Sequence, residues 1–300
     1  MLCLVLREIR FPSRSLSPSQ NVYSFVEFKR NLKNQICTVR RRWTIHSQDI
    51  NSVINRSQAF SHSQLTWMSI TLTIAHAFSV PLSPVAFFPL NGQYETTDIS
   101  HSSNPPGQAS GVELAPGPDG STGASYQFSG NLSSFIYFPN NGGLDTRYSM
   151  TFLAWIYHEQ TGGPIFYYDG PKNDMRFILT EDGRFRTSLR SSNFSFLKNL
   201  TSGVLEAKTW HFIGVSYNYV SGECILWING SIYHKKEVFW PKELATQQSV
   251  FMGALPQQAE KYKGRISCIQ LYDRALTELE IEEAKESCFT VGEFNFFNSF

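Results

Sequence analysis

The chain has 300 residues, 41% of them hydrophobic and 14% aromatic, which is enough for a real core in one or two domains. Its formal net charge of +1 hides two unlike parts: residues 1–66 carry +7 and the remainder −6. The larger part is thus mildly acidic and not the basic surface of a nucleic-acid binder, and its 24 Phe and 13 Tyr lean it towards β structure.

Residues 1–66 show no sustained period of 3.6 or 2, and Ser, Asn and Gln interrupt each apolar cluster. They read as a basic, disordered arm. Arg40-Arg41-Arg42 also fits a nucleic-acid or nuclear-import patch, but the solvated arm is the preferred reading. A third reading leaves the arm out of the mature protein. Residues 67–82 lie in the run LTWMSITLTIAHAFSVPL, whose short apolar stretch ends in Ala75-His76-Ala77, a site of the kind signal peptidase prefers. A linker or a buried first strand is the alternative. As a transmembrane span the run is too short, and Pro81 and Pro84 end it.

The module proper is expected over residues 83–288, with 289–300 as a tail. Val85–Leu90 is its first strand. A long loop, Asn91–Gly123, follows, and its Pro105-Pro106-Gly107 and Pro116-Gly117-Pro118-Asp119-Gly120 argue against regular structure. Ser125–Phe128 and Phe135–Phe138 alternate as strands. Ser149–Tyr157 is apolar on both faces, with Met150, Phe152, Ala154 and Ile156 on one, so it should be a central strand. Ile165–Tyr168, Arg176–Leu179 and Arg184–Leu189 give three more, the last two joined by the turn Glu181-Asp182-Gly183. Trp210–Tyr217, Cys224–Ile228 and Arg265–Tyr272 complete the strands, at a turn spacing that indicates a sandwich. The helix Glu278–Glu286 closes the module. Thr277 and Glu280 form its capping box, and Leu279, Ile281 and Ala284 offer an apolar stripe.

Three stretches carry a family resemblance. Trp210-His211-Phe212 with Val215-Ser216-Tyr217 is similar to the pattern W-H-x-V-x-x-x-Y. Gly222–Gly230 (GECILWING) is similar to G-x-x-x-L-Y-V-D-G. Tyr262–Ile266 with Leu271–Thr277 is similar to F-x-G-x-I followed by I-Y-N-x-A-L-S, and Val85–Leu90 to the opening strand of the same family. Together these resemble the laminin G-like, or concanavalin A-like, domain, a family that also includes the pentraxins. The resemblance covers about two thirds of the chain. It implies an all-β jelly-roll β-sandwich with one short C-terminal helix, working as an extracellular recognition module for glycan or protein ligands, with a calcium-dependent pentraxin-like lectin and a purely structural matrix or adhesion module as the alternatives.

The resemblance also implies a disulfide between Cys268 and Cys288, which leaves Cys224 as a buried thiol or as an alternative partner of Cys268. The acceptor sequons at Asn131, Asn193, Asn199 and Asn229 fall in turns or edges and agree with secretion. Calcium is the possible cofactor implied by the fold. Asp98, with Asp119, Asn141 and Asp145, stands in loops that could meet around an ion. Against it, Ser267 and Cys268 occupy positions where many relatives carry an acidic pair. Glycan binding is likewise implied, and Trp240 beside Pro241 is the expected exposed contact, whereas Trp155 and Trp227 belong to strands and to packing.

An enzyme is not expected. Glycoside hydrolases on this sandwich place spaced carboxylates along a strand. The nearest pattern here, Glu278, Glu280 and Glu282, lies on a helix, where alternate residues point about 200° apart and cannot converge. His101, His158, His211 and His234 have no metal-ligand spacing.

Overall fold

The computed structural model describes residues 82–289 except 160–161, 171–174, 194 and 256–259. The readings of residues 1–66, of 67–82 short of Leu82, and of the tail beyond Phe289 lie outside the described residues.

Among the described residues fifteen strands form two antiparallel sheets. The first holds β13 (Ser231–Glu237), β12 (Glu223–Ile228), β11 (Trp210–Asn218), β6 (Ser149–His158), β15 (Lys263–Tyr272), β4 (Ser125–Ser129) and β3 (Val112–Ala115), in that order, with β1 (Ala86–Phe88) also on β15. The second runs β10 (Phe196–Val204), β9 (Arg184–Arg190), β8 (Arg176–Leu179), β7 (Gly163–Tyr168), β14 (Val250–Met252), β5 (Phe135–Phe138) and β2 (Gln108–Ser110). This is the expected β-sandwich. β6 is central, between β11 and β15, because both its faces are apolar. Met150, Phe152, Ala154 and Ile156 enter the core between the sheets, where Phe152 lies 4.8 Å from Phe166 and 4.9 Å from Phe177, ring to ring. Leu153 faces the other way, into a second cluster under the helix.

That helix, α1 (Glu278–Ser287), has the expected capping box from Thr277 and Glu280. It lies on the outer face of the first sheet, with Ile281 and Ala284 buried against Leu153, Phe212, Trp227 and Tyr272. Burying one side chain of Ile281's size contributes about 2 kcal/mol. The expected stripe needs one correction: Leu279 is exposed, and only Ile281 and Ala284 of the three meet the sheet.

The expected loop Asn91–Gly123 is corrected as well. It contains β2 and β3, which close one side of the sandwich as edge strands. Their residues are mostly exposed, so no buried alternation marks them. β10 and β13 are edge strands too, and β14 spans three residues; the sequence signalled none of the three as strands.

β15 changes partner along its length. Lys263–Ile266 pair with β4, and Ile269–Leu271 pair with β1. Between them Cys268 is an extra residue relative to β6, with φ of +52°, and its N–H donates to Pro89 O (3.0 Å). The bulge turns one side chain out of strand alternation. Gly264 is needed where β15 begins: at φ +145°, an added Cβ would lie 2.1 Å from Tyr157 O.

Candidate functional site

One end of the first sheet gathers exposed aromatic side chains from three connections. β6 starts there, β11 ends there, and β12 and β13 meet it with their outer ends. The turn Tyr219–Gly222 joins β11 to β12, and the segment Val238–Lys242 follows β13. The two are tied together: Val238 N–H donates to Gly222 O (2.8 Å), and Tyr217 Oη donates to Lys242 O (2.9 Å) while accepting Lys242 N–H (3.0 Å). Gly222 permits the close approach. It has φ +70°, and a Cβ there would lie 2.4 Å from Val238 O and 3.1 Å from Pro241 Cγ.

These ties present apolar side chains outward. Val220 is 91% exposed, Phe239 84% and Trp240 72%, and Tyr148 and Tyr219 are also exposed. Phe239 and Trp240 meet edge to face at 4.9 Å, and so do Tyr148 and Tyr219 at 5.4 Å. Tyr219 is anchored by its N–H to Ser149 Oγ (3.0 Å). The ion pairs Arg147–Asp145 and Lys235–Glu223 border this rim. Exposed large apolar groups scattered singly mean little, but grouped in edge-to-face pairs on braced loops they mark a contact surface. The rings offer faces for apolar stacking and, at Tyr and Trp, polar edges for hydrogen bonds. Sequence reasoning found Trp240 and missed its four companions. For Tyr219, Val220 and Phe239 the signal was apolar residues inside turn-forming stretches, NYVSGE and EVFWPK, and Tyr148 gave none.

The other expected residues are placed as follows. Trp227 is buried beneath α1, and its Nε1–H donates to Ser216 Oγ (2.9 Å). Trp155 is half-buried on the same face, 5.2 Å from the Phe212 ring. Asp98 is buried, and its two oxygens accept five hydrogen bonds: from Phe87 N, Ser100 N, Ser100 Oγ, Asn104 N and Asn104 Nδ2, at 2.7–2.9 Å. That carboxylate staples the first loop to β1. Asp119 is held by Ser121, Asp145 by Arg147, Thr246 and Gln247, and Asn141 caps its own turn at Gly143. Among the described residues no three His, Cys, Asp or Glu side chains are grouped so as to hold a metal.

Cys268 and Cys288 are joined, with Cα atoms 5.8 Å apart, and Cys224 is a buried free thiol pushed up to about 12 by burial. A thiol so protonated is a poor nucleophile. Asn131, Asn193, Asn199 and Asn229 are all exposed. Asn229 has a structural duty too: at φ +54° its Oδ1 accepts Phe212 N–H (3.0 Å). The helix carboxylates are spent locally. Burial pulls the Glu280 carboxyl up, but its bonds to Thr277 and Arg274 outweigh that and hold it below the usual range, and Glu282 pairs with Lys285 at 2.9 Å. No helix among the described residues is long and apolar enough to cross a membrane.

Comparison with known proteins gives a family and a fold. Residues 119–282 match the family described as the concanavalin A-like lectin/glucanases superfamily. Among solved structures, the binding domain of Paraclostridial Mosquitocidal Protein 1 superposes with a TM-score of 0.56 at 17% identity, covering 69% of this chain and 52% of that one. The botulinum neurotoxin serotype D ligand binding domain in complex with N-acetylneuraminic acid gives 0.55 at 13%, covering 69% and 51%. The serotype G binding domain gives 0.55 at 10%, covering 68% and 51%. At these identities the likeness is one of fold, and the chain spans about half the length of those domains. No curated protein sequence matches the chain.

Proposed function

The chain belongs to the concanavalin A-like lectin/glucanases superfamily, and from that premise we propose that it is a non-catalytic, secreted recognition module that binds glycan or protein ligands in the matrix or at the cell surface. The observation that carries this reading is the braced aromatic rim, with Trp240 and Phe239 outermost. A sugar ring offers axial C–H groups to such faces, and protein ligands favour the same Trp and Tyr side chains. The compartment is supported by the Cys268–Cys288 bridge, since disulfides persist in oxidising surroundings, and by four exposed sequon asparagines that would carry N-glycans. The non-catalytic reading is supported by two of the helix carboxylates, Glu280 in the cap and paired with Arg274, and Glu282 paired with Lys285. Asp98 stands in this reading as a loop staple, so recognition by the rim needs no calcium.

The test is glycan-array binding of the full chain in calcium and in chelator, beside Phe239→Ala/Trp240→Ala. The expected result is a signal that survives chelation and falls at least tenfold in the double variant with its melting temperature unchanged. A signal untouched by the double substitution would place recognition elsewhere on the molecule, and a signal lost on chelation would restore an ion to the site.

A further inference from the structure

The end of β6 opposite the rim carries two buried histidines that recognition does not use. His158 ends β6 and His211 lies near the start of β11, with ring centroids 6.5 Å apart and planes at 31°. The Nε2 of each faces a main-chain carbonyl of the connection before β11. For His158 it is Leu205 O at 3.2 Å, and for His211 it is Glu206 O at 2.9 Å. A carbonyl only accepts, so each neutral ring carries its proton on Nε2 and leaves Nδ1 bare. Both Nδ1 atoms are buried without a partner. A further proton on either ring therefore lands on a buried atom with no acceptor, beside a second imidazole.

The charged neighbours do not offset this. Glu159, just after β6, pairs with Lys263 of β15 (3.3 Å), and Asp182 in the β8–β9 turn pairs with Arg184 (2.8 Å). Glu181 and Glu206 are exposed, and the latter meets the pair through its carbonyl. Lys208 adds positive charge on the connection, and Arg265 of β15 is engaged over the Tyr157 ring at 4.8 Å. The same pair lies where two connections are tied to the sandwich. Lys208 N–H donates to His158 O (2.8 Å), Leu205 N–H donates to Gly183 O (2.8 Å), and a Cβ at Gly183 would stand 3.4 Å from His158 Cε1.

We propose that His158 and His211 form a pH-sensitive latch that holds the Val204–Thr209 connection and the Thr180–Gly183 turn on the sandwich at neutral pH and releases them on acidification. Release lets Nδ1–H reach water, which the closed arrangement denies it. Burial, with His211 alongside, holds His158 below its ordinary value despite its bonds to the Leu205 and Glu206 carbonyls. For a base whose folded value is depressed, the unfolded or opened state binds more protons. Stability is therefore complete above the ordinary histidine value of about 6.5 and falls as pH drops below it, towards the lower folded value.

The experiment compares the full chain with His158→Gln/His211→Gln at pH 7.5 and pH 5. In the parent, the unfolding equilibrium constant should rise on the order of tenfold at pH 5 relative to the variant's own change. The Leu205 and Lys208 amides should exchange faster there, while those of the rim strands do not. An equal rise in both proteins, or none in the parent, would overturn the latch. Should the variant not fold, the imidazole C–H resonances of the parent decide: titration of His158 at or above about 6.5 overturns the proposal, and titration below it with faster exchange at Leu205 sustains it.

Discussion

Asp98 shows how one residue type serves two chemistries. In a loop of a sandwich that often binds calcium, an Asp reads from sequence as a ligand. In the structure five protein donors converge on it and meet its negative charge without an ion. Removing the carboxylate leaves those donors buried and unpaired, at about 1–3 kcal/mol for each that water cannot reach. Asp98→Ala should lower stability by about 3 kcal/mol, measured by urea denaturation. Asp98→Asn should cost nearly as much, since its amide would aim N–H groups at Asn104 N and Nδ2. Loss of under about 1 kcal/mol in both variants would mean that the loop closes by other contacts. The sequence could single out this residue because acids in loops are conspicuous. It could not reveal the donors, which come from Phe87, Ser100 and Asn104 through main-chain geometry that no spacing encodes.

At the scale of elements, legibility followed burial. β6, β11 and β15 announce themselves because each is packed on both faces, and α1 because its cap is written in two residues. β2, β3, β10 and β13 are edges whose exposed side chains carry no alternation, and so they read as loop. The bulge at Cys268 was equally silent, yet it connects strand and helix. By inserting one residue where β15 leaves β4 for β1, it frees a side chain from the core alternation to meet Cys288 behind α1. Gln270 completes the junction, its Nε2–H donating to Ala284 O (2.8 Å). The bridge closes a separation of 20 residues, for which the chain-entropy model gives about 3 kcal/mol. The paired substitution Cys268→Ser/Cys288→Ser should therefore lower the free energy of unfolding by about 3 kcal/mol, with α1 amides the first to lose exchange protection. Unchanged stability, or loss of protection in β6 before α1, would show that the helix is held by Ile281 and Ala284 alone.

The whole molecule is polar along its strands. β6 runs from the aromatic rim at Ser149 to the histidines at His158. Asn131, in the β4–β5 turn, and Asn229, in the β12–β13 turn, lie at the histidine end, because Ser129 pairs with Lys263 beside that end and Ile228 pairs with Ile213 near the start of β11. Asn193 precedes β10 near the rim side, where Ser192 N–H donates to Glu243 O (2.7 Å). Bulky, solubilising glycans at Asn131 and Asn229 would thus leave the rim open, whereas one at Asn193 would stand close to it. The arrangement predicts a division among sequon variants of secreted protein. Ser133→Ala and Ser231→Ala remove the first two sequons without disturbing the Asn229 cap on Phe212, and each should remove one step of endoglycosidase-sensitive mass without changing ligand binding. Ser195→Ala should remove a third step and leave binding equal or stronger, because a crowding chain is lost. Binding strengthened by Ser133→Ala or Ser231→Ala and indifferent to Trp240→Ala would put the ligand at the histidine end and reverse this polarity. The sandwich alone cannot distinguish those outcomes, since both its ends are built from turns. What separates them is that the rim carries its exposed aromatic side chains in touching pairs, Phe239 with Trp240 and Tyr148 with Tyr219.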